Sequence, residues 1–336
     1  MSENINTLKL IHVLFRHGNR TNVKSTCFPN DPYISETYHP YGRGQLTKAG
    51  KQNCHNLGKY LRKRYENYLG EYNFNTVEAF STDMPRTKMS LQMVLAGLFP
   101  PSADEAIDNL NWQPIPYNYK PVSDDKLLFG VCQPEHREEL DKIEASAEVQ
   151  AIYEKNKDLI AYINQHTGKK YTEFFSYFDL YTTFLSEEEW GFELEEWTKT
   201  IYPNFLKSLA IQFFMTLSKT DKIRKYGQGN FLKKIIDECK AKMEGVLSEE
   251  RKIYLYSGHD INITQFLGTL DLFEPHMPPY CACVILELHE INGEYGLKIF
   301  YQDYKQEDPK LMKLPGCQEF CPLDKFVEIH EKYLPE

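Results

Sequence analysis

The stretch Leu8-Lys9-Leu10-Ile11-His12-Val13-Leu14-Phe15, followed at once by Arg16-His17-Gly18-Asn19-Arg20, decides how the rest of the chain is read. A short apolar run bounded by polar residues reads as a buried strand. Here the strand empties into a His flanked by two guanidinium groups. Arginine binds phosphate through paired N–H donors. A neutral His between two of them is placed to attack phosphorus rather than merely to titrate.

Two further segments have the same form. Lys252-Ile253-Tyr254-Leu255-Tyr256 runs into Ser257-Gly258-His259-Asp260, and Val77-Glu78-Ala79-Phe80-Ser81-Thr82-Asp83 leads into Pro85-Arg86-Thr87. Each strand delivers charged or nucleophilic residues at its C-terminal end. In open α/β sheets that edge is where ligands bind. The fold class read from this pattern is α/β.

The ordered set Arg16-His17-Gly18 with Arg20, Ser81-Thr82-Asp83 with Arg86, and Ser257-Gly258-His259-Asp260 resembles the histidine acid phosphatase family, a branch of the histidine phosphatase superfamily. The tail from Leu314-Pro315-Gly316-Cys317 to Cys321-Pro322-Leu323 is similar to the C-terminal part of the animal prostatic, lysosomal and insect venom acid phosphatases. The resemblance implies a phosphoglycerate-mutase-like three-layer sandwich: a mainly parallel central sheet with helices on both faces, and a helical cap insertion. It implies an acid phosphatase acting on small-molecule phosphate monoesters in two displacements. His17 would form a phosphohistidine, and Asp260 would protonate the departing alkoxide. Arg16, Arg20, Arg86 and His259 would hold the non-bridging oxygens. These groups leave no role for a metal or a cofactor. The family also implies a homodimer.

Each assignment has a plainer rival. His17 as a strand-end histidine satisfied by a carbonyl, Arg86 as a solvated helix residue and Asp260 as a helix cap are all chemically reasonable. The joint presence of nucleophile, acid and cations favours catalysis. A lysophosphatidic acid phosphatase or another dedicated phosphatase of the superfamily stays open, as does a non-catalytic binding protein or antigen that keeps the fold. A phytase usually has a longer chain and cap.

Read in order, residues 21–45 form a polar loop, and Thr47 caps a helix ending near Gly70. A strand over 77–82 follows, then Asp83 as N-cap and Pro85 early in a helix to about residue 98. Arg86 lies in the first turn, where backbone N–H groups already favour an anion. Between residues 100 and 229 the character changes, with prolines, a charged helical stretch over 135–162 and a helix over 201–218. This reads as the cap, inserted into a core made of 1–99 and 230–336. A helix near 231–244 precedes the strand over 252–256. Two alternating runs then meet across Asn292-Gly293, a strong hairpin signal, and a short helix spans 324–333. His12 reads as packed within its strand. His39, His55, His136, His166, His276, His289 and His330 lack metal-ligand spacing and read as structural or exposed.

Composition limits the partners. The chain has 336 residues, 41% of them hydrophobic, and a net charge of −9, which argues against nucleic acid. No stretch of about 18 apolar residues could span a membrane. The polar opening Met1-Ser2-Glu3-Asn4 has no apolar leader, giving a cytoplasmic expectation; the alternative is a secreted or lysosomal protein that has lost one. By the resemblance, Cys317 and Cys321 match a short-loop family bridge, and Cys132 and Cys283 match bridged positions. The partner of Cys283 would lie near Glu187, and that of Cys132 beyond Glu336. The sequons Asn19-Arg20-Thr21 and Asn262-Ile263-Thr264 fall in or beside the catalytic loops, where a glycan would obstruct the pocket. Asn22 stands where the family loop usually has Pro, and Asn19 where it often has Asp.

Overall fold

Alternation along the first strand builds the middle layer. In the computed structural model, which describes residues 5–336, β1 (Leu8–Arg16) is buried along almost its whole length. Leu10 and Leu14 face one apolar layer, while Ile11, Val13 and Phe15 face another. Successive side chains point to opposite faces, so a strand apolar at nearly every position must be covered on both. The residues 1–4 behind the cytoplasmic expectation lie outside those described.

The chain continues through α1 (Lys48–Arg64), α2 (Glu66–Leu69), β2 (Val77–Ser81) and α3 (Pro85–Leu98). The helices α4 (Pro134–Glu144), α5 (Ala147–Lys155), α6 (Lys157–Thr167), α7 (Phe174–Trp190), α8 (Asn204–Thr216) and α9 (Asp221–Met243) follow. The last third holds β3 (Ile253–Gly258), α10 (Asp260–Thr269), β4 (Cys283–Ile291), β5 (Glu294–Gln302), β6 (Lys310–Met312), β7 (Cys321–Pro322) and α11 (Leu323–His330). Seven strands form one mixed sheet in the order β2-β3-β1-β4-β5-β6, with β7 beside β5. The strands that carry the candidate residues, β2, β3 and β1, run parallel. The strand β4 joins β1 antiparallel and opens the hairpin with β5. At that turn Asn292 and Gly293 take φ of 54° and 83°, the left-handed pair such a tight hairpin requires.

One face of the sheet is covered by α1 and α3, the other by α9, α10 and α11. This is the α/β sandwich expected from the sequence. A third apolar cluster, built on α4 to α8 with Phe28, lies over the sheet edge. Among the described residues none between 100 and 229 belongs to a strand of the sheet.

The finer expectations hold unevenly. Thr47 caps α1 by accepting from the Gly50 amide at 3.2 Å. The helix breaks at Tyr65 before resuming as α2. Asp83 does not cap α3: Met84 occupies that position without a side-chain bond, and Asp83 pairs with Lys88 instead. The charged helical stretch is made of three helices, α4, α5 and α6. The helix α7 carried no recognised signal, because apolar and polar residues alternate too evenly around it. The expected helix near 231–244 begins already at Asp221, and so runs straight through position 229/230.

Candidate active site

Parallel register brings the three strand ends level. Arg16 pairs with Gly258, and Ser81 with Ser257. Beyond them the His17 amide donates to the Gly258 carbonyl at 3.0 Å and the Thr82 amide to the Ser257 carbonyl at 3.1 Å. The loop after His17 is seated against α1 with no room for side chains. A Cβ on Gly18 would overlap the Gly50 carbonyl, and one on Gly50 would overlap the Asn19 carbonyl. The Gly18 amide donates to Ser90 Oγ at 3.1 Å, and that hydroxyl donates to the Arg86 carbonyl at 2.7 Å. The loop bearing His17 is thus tied to the helix bearing Arg86.

The ring of His17 is nearly buried, and its Nδ1 lies 2.8 Å from the Gly18 carbonyl. A carbonyl only accepts, so Nδ1 carries the proton and Nε2 keeps its lone pair. Burial, and then the charges of Arg86, Arg16, His259 and Arg20, hold this imidazole unprotonated well below its ordinary range. The ring of His259 stands edge-on to it with centroids 5.4 Å apart. Its Nε2 meets Thr82 Oγ1 at 3.0 Å, and Arg86 Nη2 approaches its Nδ1 at 3.5 Å. Burial and the same arginines also keep His259 neutral.

The cations are held in place from behind. Arg16 pairs with Asp260 at 2.9 Å, donates to the Pro278 carbonyl and lies 4.1 Å over the Tyr280 ring. Arg20 donates to the Thr21 carbonyl at 3.2 Å. Arg86 sits in the first turn of α3 as expected, its acidity raised by burial and by Arg20 so that its pKa falls to about 10. The Nε–H groups of Arg16 and Arg86 are buried without a partner. Buried donors are normally satisfied, so these two point to an anion. Asp260 opens α10, and the Ile261 amide donates to it at 2.9 Å. Its cap-like position and its place in the site coexist.

All but one of the expected site residues line a cavity of about 290 Å³, namely His17, Arg20, Arg86, His259 and Asp260. Arg16 braces it from behind through Asp260. The wall opposite comes from Phe129 and from Phe175, Phe178, Asp179 and Thr182 on α7. Burial lifts the Asp179 carboxyl to about 7, against the pull of Lys169 and Arg20. Sequence reasoning found neither this wall nor Tyr280. The only available signal was the aromatic content of the cap, which does not say which ring faces inward. His12 is packed as expected, buried and 3.0 Å from Glu238. Of the sequons, Asn262 is buried, with its side chain donating to the Leu128 carbonyl at 2.6 Å. Asn22 donates to Glu187 at 3.0 Å. Asn22, a departure from the family loop, therefore touches Glu187, near which the partner of Cys283 was expected. Cys317 and Cys321 are joined by a disulfide, whereas Cys132 and Cys283 are free.

Comparison with known proteins shows the family. Residues 7–302 match the model of the histidine phosphatase superfamily (branch 2). The chain is 35% identical to a venom acid phosphatase of Apis mellifera, over 98% of this chain and 86% of that one. It is 35% identical to the prostatic acid phosphatase of Bos taurus over 96% and 84%, and 31% identical to the human lysosomal acid phosphatase over 98% and 79%. Among solved structures, the phytase of Citrobacter braakii superposes with a TM-score of 0.71 at 17% identity, covering 98% of both chains. The Hafnia alvei phytase bound to tartrate gives 0.70 at 17%, over 98% and 97%. At those identities the likeness is one of fold.

Proposed function

The chain belongs to the histidine phosphatase superfamily (branch 2) and is an acid phosphatase, a hydrolase of phosphate monoesters, and we propose that His17 is its nucleophile, Asp260 its general acid, and Arg16, Arg20, Arg86 and His259 its phosphate ligands. His17 Nε2 attacks phosphorus, the P–O ester bond breaks, and Asp260 gives its proton to the leaving oxygen. Water then yields a proton to Asp260 and attacks the phosphohistidine, releasing inorganic phosphate and restoring the imidazole. Splitting the hydrolysis replaces one difficult displacement by two easier ones. The guanidinium groups offset the charge that spreads over the equatorial oxygens.

The observation that carries this reading is the pair of buried, partnerless guanidinium N–H groups beside a histidine held neutral. His17→Ala is expected to abolish turnover of p-nitrophenyl phosphate with an unchanged circular dichroism spectrum. Near wild-type turnover in that variant removes His17 as nucleophile.

The cap wall supports monoesters of modest size with an apolar or aromatic alcohol. Three phenylalanines face the phosphate subsite, and the charged group among them is an acid, Asp179. A polyphosphate substrate would need cations there. We read residues 1–99 and 230–336 as the catalytic core and 100–229 as the cap, with α9 shared by both. For compartment, the relatives named for venom and lysosome, and the disulfide of Cys317 with Cys321, support a secreted or lysosomal protein rather than a cytoplasmic one.

A further inference from the structure

Two cysteines with no family bridge meet directly behind the catalytic loop. Cys54 on α1 and Cys281, just ahead of β4, are both buried, with their sulfurs 3.4 Å apart. A disulfide needs about 2.05 Å between sulfurs, so closure asks for a displacement of little more than an ångström. Cys281 is not sealed off. It lines a second cavity, of about 660 Å³, together with Asn53, Tyr60, Tyr280 and Tyr304. The segment is also tied to the site: the Cys281 amide donates to the His17 carbonyl at 3.2 Å, and the neighbouring Tyr280 packs 5.8 Å from the His17 ring and under Arg16.

We propose that Cys54 and Cys281 are a disulfide-forming site, closed by hydrogen peroxide or a similarly small peroxide that enters through this second cavity. The peroxide transfers one oxygen to the Cys54 sulfur, giving a sulfenic acid and one water. Cys281 then attacks that sulfur and expels the hydroxyl, which leaves as a second water with the Cys281 proton. Two thiols and one peroxide thus become one disulfide and two waters, and the two electrons lost by sulfur reduce the peroxide. Contact with Cys281, and with Ser90 and the Gly18 amide, draws the Cys54 thiol below its ordinary range and suits it to the first step, while Cys54 and burial hold the Cys281 proton in place until the second. Cys283 has no such neighbour, and burial alone pushes its thiol up to about 12.

Closing the bond pulls the backbone on one side of His17 toward α1 on the other. A displacement of about 1 Å at a reacting group costs up to ~100-fold in rate, and this one is transmitted through a backbone hydrogen bond and a packed ring. Oxidation is therefore expected to lower kcat by about 10-fold, reversibly.

The test treats the purified whole protein with hydrogen peroxide, blocks remaining thiols after denaturation, and maps the peptides by mass spectrometry, with turnover of p-nitrophenyl phosphate followed in parallel. A cross-linked peptide pair bearing Cys54 and Cys281, and turnover restored by dithiothreitol, is the expected result. Cys54→Ser and Cys281→Ser should each abolish both changes while keeping basal turnover, and Cys283→Ala should keep both. Recovery of Cys54 and Cys281 in blocked form, or of Cys281 joined to Cys283, overturns the site. A cross-link that leaves turnover untouched overturns its coupling to His17.

Discussion

Burial and the surrounding arginines keep His17 unprotonated at a pH where a free imidazole would already be charged. A histidine that stays neutral in acid keeps its lone pair for attack there, as the proposed role of His17 as nucleophile, with Asp260 as acid, requires. The two roles separate in the leaving-group dependence of the rate. Asp260→Asn should slow alkyl phosphates, whose alkoxides need a proton, by about 10²–10⁴-fold. It should slow p-nitrophenyl phosphate much less, since nitrophenolate leaves unaided. Equal losses on both substrates, measured as kcat at a fixed acidic pH, would remove Asp260 as the acid. These residues were legible in the sequence because each follows an apolar strand, and strand ends in a parallel arrangement meet at one edge. Tyr280 and Asp179 were not, because each acts through a neighbour that is distant in the chain and no local pattern marks it.

At the scale of elements, the seat between the His17 loop and α1 is an exacting contact. Gly18 and Gly50 leave no volume between two backbones. Gly50→Ala must push the Asn19 carbonyl away, and overpacking of this kind costs about 1–3 kcal/mol. Urea unfolding is expected to show that loss, and turnover should fall with it, because Asn19 lies within the loop that carries His17. A variant as stable and active as the parent would mean the loop yields freely. Elements with strong periodicity or turn chemistry were foreseen: β1, the Thr47-capped α1, and the Asn292-Gly293 hairpin. The start of α3 was misread because Asp83 suits an N-cap equally well, and only its pairing with Lys88 in three dimensions decides the matter. The helix α7 went unrecognised for another reason. It is buried against α8 on one side and lines the cavity on the other, so its apolar residues do not keep to one stripe.

For the molecule as a whole, two buried acids contribute to how stability responds to pH. Burial raises Glu187 to about 8 and Asp179 to about 7, from ordinary values of 4.5 and 3.8. The fold therefore prefers both in protonated form, and the unfolded chain releases their protons first. Their contribution is favourable in acid and is lost progressively as pH rises from the ordinary carboxylate range toward 7–8. Glu187→Gln keeps the bond to Asn22 but cannot ionise. The melting temperature of that variant should match the parent near pH 4 and exceed it increasingly up to pH 8, as followed by calorimetry. A constant gap across that range would show that Glu187 does not titrate. This pairing of Asn22 with Glu187 on α7 was invisible in the sequence, where Asn22 stood only as a departure from the family loop and Glu187 only near the missing partner of Cys283.

The helix α9 gives the molecule a further property. It runs unbroken from Asp221, in the proposed cap, to Met243, in the proposed core, about 35 Å of continuous helix at 1.5 Å per residue. A lid swings on a few yielding residues between two bodies, and a helix that passes through the junction works as a strut. On the proposed division of the chain, the mouth of the pocket is then expected to keep a fixed bore and to select esters by girth instead of closing over them.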